Sequence, residues 1–211
     1  TVASNAGVIV DDDDVGTGGN PGVSADGDKS PANVEGTLAH SYGADGAGTT
    51  LLLSTGAPNG FSYSLDSTGK ILTISQTVGN VTTAVLKVTL TDTTSGNYKV
   101  EQLAPIHHAD GNKENDLSLT INYQVTDKDG DRAATNGSLT ITVNDDTPTV
   151  GTQTALTVDE EGLGGNAGDT YALTNPHDAA TSQASANGML NYSFGSDGAS
   201  QTTNVTFLTS N

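Results

Sequence analysis

Leu117-Ser118-Leu119-Thr120-Ile121-Asn122-Tyr123-Gln124-Val125, then Thr126-Asp127-Lys128-Asp129-Gly130-Asp131, then Ser138-Leu139-Thr140-Ile141-Thr142-Val143 carries the clearest structural pattern in the sequence. Its two flanking segments alternate apolar and polar residues with period two and are rich in β-branched side chains, the pattern of half-buried strands. Between them the chain carries acidic and turn-forming residues. The stretch therefore predicts two strands joined by an acidic turn.

Working outward, the same alternation recurs in Phe61-Ser62-Tyr63-Ser64-Leu65, Lys70 to Ile74, Ala84 to Leu90 and Tyr98 to Leu103. Turn formers separate these segments: Pro58-Asn59-Gly60, Asp66-Ser67-Thr68-Gly69 and Thr94-Ser95-Gly96-Asn97;. No run of helical length carries an apolar stripe at helical spacing, so helix is expected to be minor. Short strands at this spacing predict an all-β fold, an antiparallel β-sandwich of the Ig-like or cadherin-like kind.

Composition narrows the function classes. The 211 residues hold 25 Asp and Glu against 7 Lys and Arg, a formal charge of -18. Such a chain repels phosphate backbones and anionic membranes, so neither nucleic-acid binding nor membrane insertion is expected. The same charge repels itself in the compact state unless a cation sits among the carboxylates. With no cysteine, neither disulfides nor thiolate metal sites are available;. No segment approaches the roughly 18 to 20 apolar residues of a membrane span. Thr1-Val2-Ala3-Ser4-Asn5 lacks the basic and apolar regions of a signal peptide, and the chain reads as an internal segment;.

An internal repeat sets the domain organisation. Gly36 to Ala47 resembles Gly188 to Ala199, and Val10-Asp11-Asp12-Asp13 echoes Val158-Asp159-Glu160-Glu161. One repeat is expected over residues 1–148, and residues 149–211 read as the start of a second, incomplete and possibly split sandwich.

The carboxylates Asp127, Asp129 and Asp131 stand at alternate positions, with Gly130 allowing a turn tight enough for all three to face one point. Hard oxygen donors converging in this way suit Ca2+. An EF-hand would need a bidentate Glu at the twelfth loop position, where this sequence has Ser138, and its loop would lie between helices;. Asp145 and Asp146 close the first repeat, and Asp159 and Glu160 open the next, so calcium at that junction would fix the angle between neighbouring domains. Asp11 and Asp12 read as the preceding junction. For the loop and the following junction the competing reading is a solvated acidic turn or linker, and for the run Asp11 to Asp14 it is a frayed end. Asp26-Gly27-Asp28, Asp45-Gly46 and Asp197-Gly198 read as turns. The pair His107-His108, followed by Asp110 and Glu114, superficially resembles a transition-metal site, but successive strand residues point to opposite faces. No nucleophile signature, phosphate-binding loop or zinc motif appears, and an enzyme is not expected.

The run from Asn115 to Asp131, followed by Gly137-Ser138-Leu139-Thr140-Ile141-Thr142-Val143-Asn144-Asp145-Asp146-Thr147-Pro148, resembles the repeats of giant bacterial RTX adhesins. Val158-Asp159-Glu160-Glu161-Gly162-Leu163 resembles the start of the same repeat class. The resemblance implies type I secretion, calcium-dependent folding outside the cell, an extracellular location at the bacterial surface, and a part in adhesion and biofilm formation. A structural module is then expected, with neighbouring repeats of the same chain as partners. The alternative is a calcium-dependent module that binds a surface peptide or glycan, with Ile106 to Asp110 as its rim.

Overall fold

The computed structural model describes residues 1–12, 15, 33–108, 115–158, 185–195 and 205–208. The chain divides into two compact units, Thr1–Pro148 with Phe194–Asn211, and Thr149–Ser193.

Among the described residues of the first unit nine strands follow one another: β1 Val8–Asp11, β2 Asn33–Thr37, β3 Ala47–Leu53, β4 Phe61–Leu65, β5 Ile71–Val78, β6 Val81–Leu90, β7 Asn97–Gln102, β8 Leu117–Asp127 and β9 Gly137–Asn144. They form a four-stranded sheet in the order β1-β9-β8-β3 and a five-stranded sheet in the order β2-β7-β6-β5-β4. No α-helix occurs among the described residues. The period-two pattern explains why the sheets share one core. Leu119, Ile121, Tyr123 and Val125 of β8 and Leu139, Ile141 and Val143 of β9 turn one face inward. Leu72 and Ile74 of β5, Leu86, Val88 and Leu90 of β6, and Tyr98 and Val100 of β7 join them in the same buried cluster. Covering two half-apolar sheets with each other removes both apolar faces from water, the main driving force for this architecture.

All pairings are antiparallel except one: β1 runs parallel to β9, with Val8 opposite Ile141 and Asp11 opposite Asn144. A parallel pair carries the two strands to the same end of the sheet. The residues that follow them, Asp12 on one side and Asp145-Asp146 on the other, are thereby brought to that end.

Side chains close the turns. Asp66 Oδ1 accepts the backbone N–H groups of Lys70 and Ile71 at 3.0 and 2.9 Å. Asp92 Oδ1 accepts those of Thr94 and Ser95 at 2.7 and 2.6 Å. The bond from Thr68 and those backbone donors hold Asp66 down at about 2, and donors from Ser95 and Thr94 do the same for Asp92;. The N-terminal segment is tied to the core through Tyr123. Its hydroxyl donates to the Ala39 carbonyl at 2.7 Å and accepts from Asn5 Nδ2 at 2.8 Å.

The second unit contains a short antiparallel pair, β10 Thr149–Val150 and β11 Tyr192–Ser193. Gln153 holds Asn191 on both sides, accepting its N–H at 2.8 Å and donating to its carbonyl at 2.8 Å. No helix among the described residues is long and apolar enough to cross a membrane.

Candidate metal centre

The acidic turn after β8 folds on its own backbone. Asp127 N–H donates to Asp131 O at 3.0 Å, Gly130 N–H to Asp127 O at 3.3 Å, and Ala133 N–H to Val125 O at 2.9 Å. Gly130 holds φ at 103°, a conformation that a side chain resists;. Asp131 N–H also donates to Asp127 Oδ1 at 2.8 Å.

Opposite this turn, the loop before β3 is brought in by strand register. β3 pairs with β8 so that Ala47 faces Asp127, and the ladder shifts between Ala47 and Thr49. Gly48 sits at that bulge, where a Cβ would run into the carbonyl oxygens of Asp127 and Thr126;. Asp45, two residues before Ala47, thus lands against Asp129, two residues after Asp127. Ligand oxygens of Asp45, Asp127 and Asp129 all lie within 4.8 Å of one another, the one such group of acidic, histidine or cysteine side chains among the described residues. Two oxygens on one Ca2+, each at roughly 2.3 to 2.6 Å, stand at most about 5 Å apart, so the group fits that ion. The donors are all hard oxygens, and backbone carbonyls or water would complete the coordination.

Electrostatics mark the crowding. A hydrogen bond from Asp129 and backbone donors hold Asp127 below the usual carboxylate range, while the bond and charge of Asp127 push Asp129 up. One proton shared between two carboxylates has this signature, and a cation would replace it. The charge of Asp131 adds to the upward push on Asp129. Asp131 thus contributes a backbone donor and a nearby charge, while Asp45 stands with the other two carboxylates.

A second acidic cluster lies at the β1 and β9 ends, and it is buried. Asp11 and Asp12 are 2% and 1% exposed, and Asp145 and Asp146 are 6% and 9% exposed. Residues that the sequence assigns to opposite ends of a repeat therefore meet, through the parallel pairing described above. Asp12 accepts from Gln102 Nε2 and from the Ile106 N–H, the latter at 3.0 Å. His108 Nε2 lies 3.3 Å from Asp12 Oδ2 and 3.9 Å from Asp145 Oδ1. His108 Nδ1 donates to the Asn115 carbonyl at 3.0 Å, and Asn115 N–H donates to Asp145 Oδ2 at 3.1 Å. Burial pulls the His108 imidazole down, but the adjacent Asp12 carboxylate, the bond to Asn115 and the charge of Asp145 outweigh it and push it up to about 9. The ring is thus the counter-ion of Asp12 and Asp145 at neutral pH. Burial raises Asp12 despite these partners.

The loop leading into the cluster turns inward. Ile106 and His108 are buried, and Gln76 holds His107 by a reciprocal pair of bonds, Nε2 to His107 O at 2.7 Å and His107 N–H to Oε1 at 2.8 Å. Ile106 and His108 thus lie in the interior while His107 is exposed. Asp110, Glu114, Asp159, Glu160, Asp197 and the pair Asp26 and Asp28 lie outside the described residues.

The described residues thus form an all-β protein with two packed sheets, a carboxylate triad exposed at Asp45 and Asp129 and half-buried at Asp127, and a buried acidic cluster. The chain belongs to the family described as a domain of unknown function, DUF5801, whose model matches residues 7–142. That match spans β1 to most of β9 and includes Asp12, Asp45, His108, Asp127 and Asp129. No curated protein and no solved structure matches the chain.

Proposed function

We propose that this chain is a calcium-stabilised structural module of a large secreted bacterial adhesin of the RTX kind, working outside the cell as a stiff spacer rather than as a catalyst. The observation that carries the reading is the approach of Asp45 to Asp127 and Asp129 across the β3–β8 register. The resemblance of residues 115–148 to adhesin repeats supplies the cellular setting. An Ig-like arrangement is favoured by the strand orders β3-β8-β9 and β2-β7-β6, which parallel the C-F-G and B-E-D orders of that fold;.

The physical mechanism is linkage. An ion that binds the folded carboxylate triad and not the unfolded chain stabilises the fold by roughly 2.7 kcal/mol at about a hundredfold excess over its dissociation constant. Where calcium is scarce the chain stays exportable, and where it is plentiful the sandwich locks. Calcium titration by calorimetry tests the assignment. Asp45→Asn is expected to weaken binding about as much as Asp129→Asn. Unchanged affinity in both variants would remove the triad as the site.

A further inference from the structure

The chain contains three Asn–Gly pairs, Asn59-Gly60, Asn136-Gly137 and Asn187-Gly188, and the fold treats them differently. Asparagine followed by glycine is the pair most open to intramolecular attack, because the following residue has no Cβ to hinder it. The backbone nitrogen of the glycine loses its proton and bonds to the side-chain Cγ of the asparagine. The Cγ–Nδ2 bond breaks, ammonia leaves, and a succinimide ring remains. Water then opens the ring at either carbonyl, leaving aspartate or, with the chain rerouted through the side chain, isoaspartate. The reaction consumes one water and releases one ammonia, and needs no enzyme or oxidant.

Asn59 and Gly60 occupy the two central positions of a turn closed by Phe61 N–H on Pro58 O at 3.0 Å. Both are exposed. Gly60 has φ at 83°, and nothing lies within 4 Å of the place its Cβ would take. Its carbonyl accepts from Thr77 N–H at 2.8 Å, but its own N–H donates to no described residue, so the attacking nitrogen is unengaged. Asn136-Gly137 is the opposite case. Gly137 is buried as the first residue of β9, paired with Tyr123 of β8, and its α-carbon lies so close under the Tyr123 ring that a Cβ would run into it. Asn136 Oδ1 also accepts from Gln124 Nε2 at 3.4 Å. Ring closure there requires β9 to lift from β8.

We propose that Asn59 is a site of spontaneous deamidation in the folded protein, and that Asn136 is protected by the sheet. The product matters because the Pro58–Phe61 turn opens β4, an edge strand of the five-stranded sheet. Isoaspartate lengthens the main chain of that turn by one carbon, and either product adds a carboxylate. The chemistry is independent of calcium binding.

The test is to hold the calcium-saturated protein in mildly alkaline buffer at physiological temperature and follow each asparagine by peptide mapping with fragmentation. Asn187, exposed and outside any strand, serves as the reference. Asn59 is expected to convert at a rate close to that of Asn187, and about tenfold or more faster than Asn136, whose reaction waits on local opening. In denaturant the three rates should converge, and Asn59→Gln should abolish conversion in the turn alone. Equal conversion of Asn59 and Asn136 in the folded protein would overturn the proposal, as would an intact Asn59 beside a converted Asn187.

Discussion

Titrating His108 should change the stability of the sandwich at alkaline pH. In the unfolded chain the imidazole has its ordinary value of 6.5, and in the fold it is raised to about 9. A group whose folded value is raised contributes stability that is complete below the unfolded value and is lost as pH rises through the folded one. The difference between 6.5 and about 9 corresponds to ~3 kcal/mol. The ring and its two carboxylate partners are buried, so solvent screens this interaction little. For a chain of this size the loss translates into a fall of about 6 to 12 °C in melting midpoint between pH 6.5 and pH 9. Burial also raises Asp12, whose own contribution is lost as pH rises through that raised value;. The window ends below pH 10, because burial raises Tyr63, Tyr98 and Tyr123 above that ordinary value and their ionisation brings a separate loss. Melts followed by circular dichroism in saturating calcium would read the effect, with His108→Gln as the control expected to flatten it. A midpoint constant across the window in the native sequence, or an imidazole resonance titrating near 6.5, would refute the ion pair.

Other residues give independent checks. Tyr123→Phe removes a donor to Ala39 and an acceptor for Asn5 while leaving the ring in the core, and is expected to cost ~1 to 3 kcal/mol in chemical denaturation;. An unchanged denaturation midpoint would show that the N-terminal segment is not clamped there. Gly48→Ala forces a Cβ against the Asp127 and Thr126 carbonyls, and should lower both stability and calcium affinity by moving β3 away from the acidic turn. Loss of stability with calcium affinity intact would separate the bulge from the site.

Six of the nine described strands in the first unit are legible because their inward residues alternate: β4, β5 and β7 to β9 show the period of two, and β6 shows it from Leu86 to Leu90, after a bulge that buries Val85 and Leu86 in succession. The other three are not. β3 reads Ala-Gly-Thr-Thr-Leu-Leu-Leu, with no alternation and a glycine that its bulge requires. β2, Asn-Val-Glu-Gly-Thr, is short and carries turn formers. β1 lies at a sheet edge, and its parallel pairing with β9 joins segments more than a hundred residues apart, a relation that local pattern does not contain.

The same distinction divides the candidate site. Asp127 and Asp129 were visible as carboxylates on one short turn. Asp45 looked like an ordinary Asp-Gly turn, because its place in the triad depends on the β3–β8 register. The buried cluster did leave a trace. Tyr98, Val100 and Gln102 alternate inward along β7, as do Leu72, Ile74 and Gln76 along β5, so each strand puts an amide where the pattern demands an apolar residue. Two amides at core positions on strands of one sheet, with β6 between them, signal a polar end to the core, and His108 with Asp12 is what lies there. The inward turn of Ile106 to His108, fixed by Gln76, had no such local sign.

Thermal unfolding with and without a chelator reads calcium-linked stability. With calcium at about a hundredfold over its dissociation constant, one site adds ~2.7 kcal/mol. The midpoint should then stand about 5 to 11 °C above that in chelator. Asp127→Asn combined with Asp129→Asn should erase the difference. Identical midpoints with calcium and with chelator in the native sequence would contradict the account.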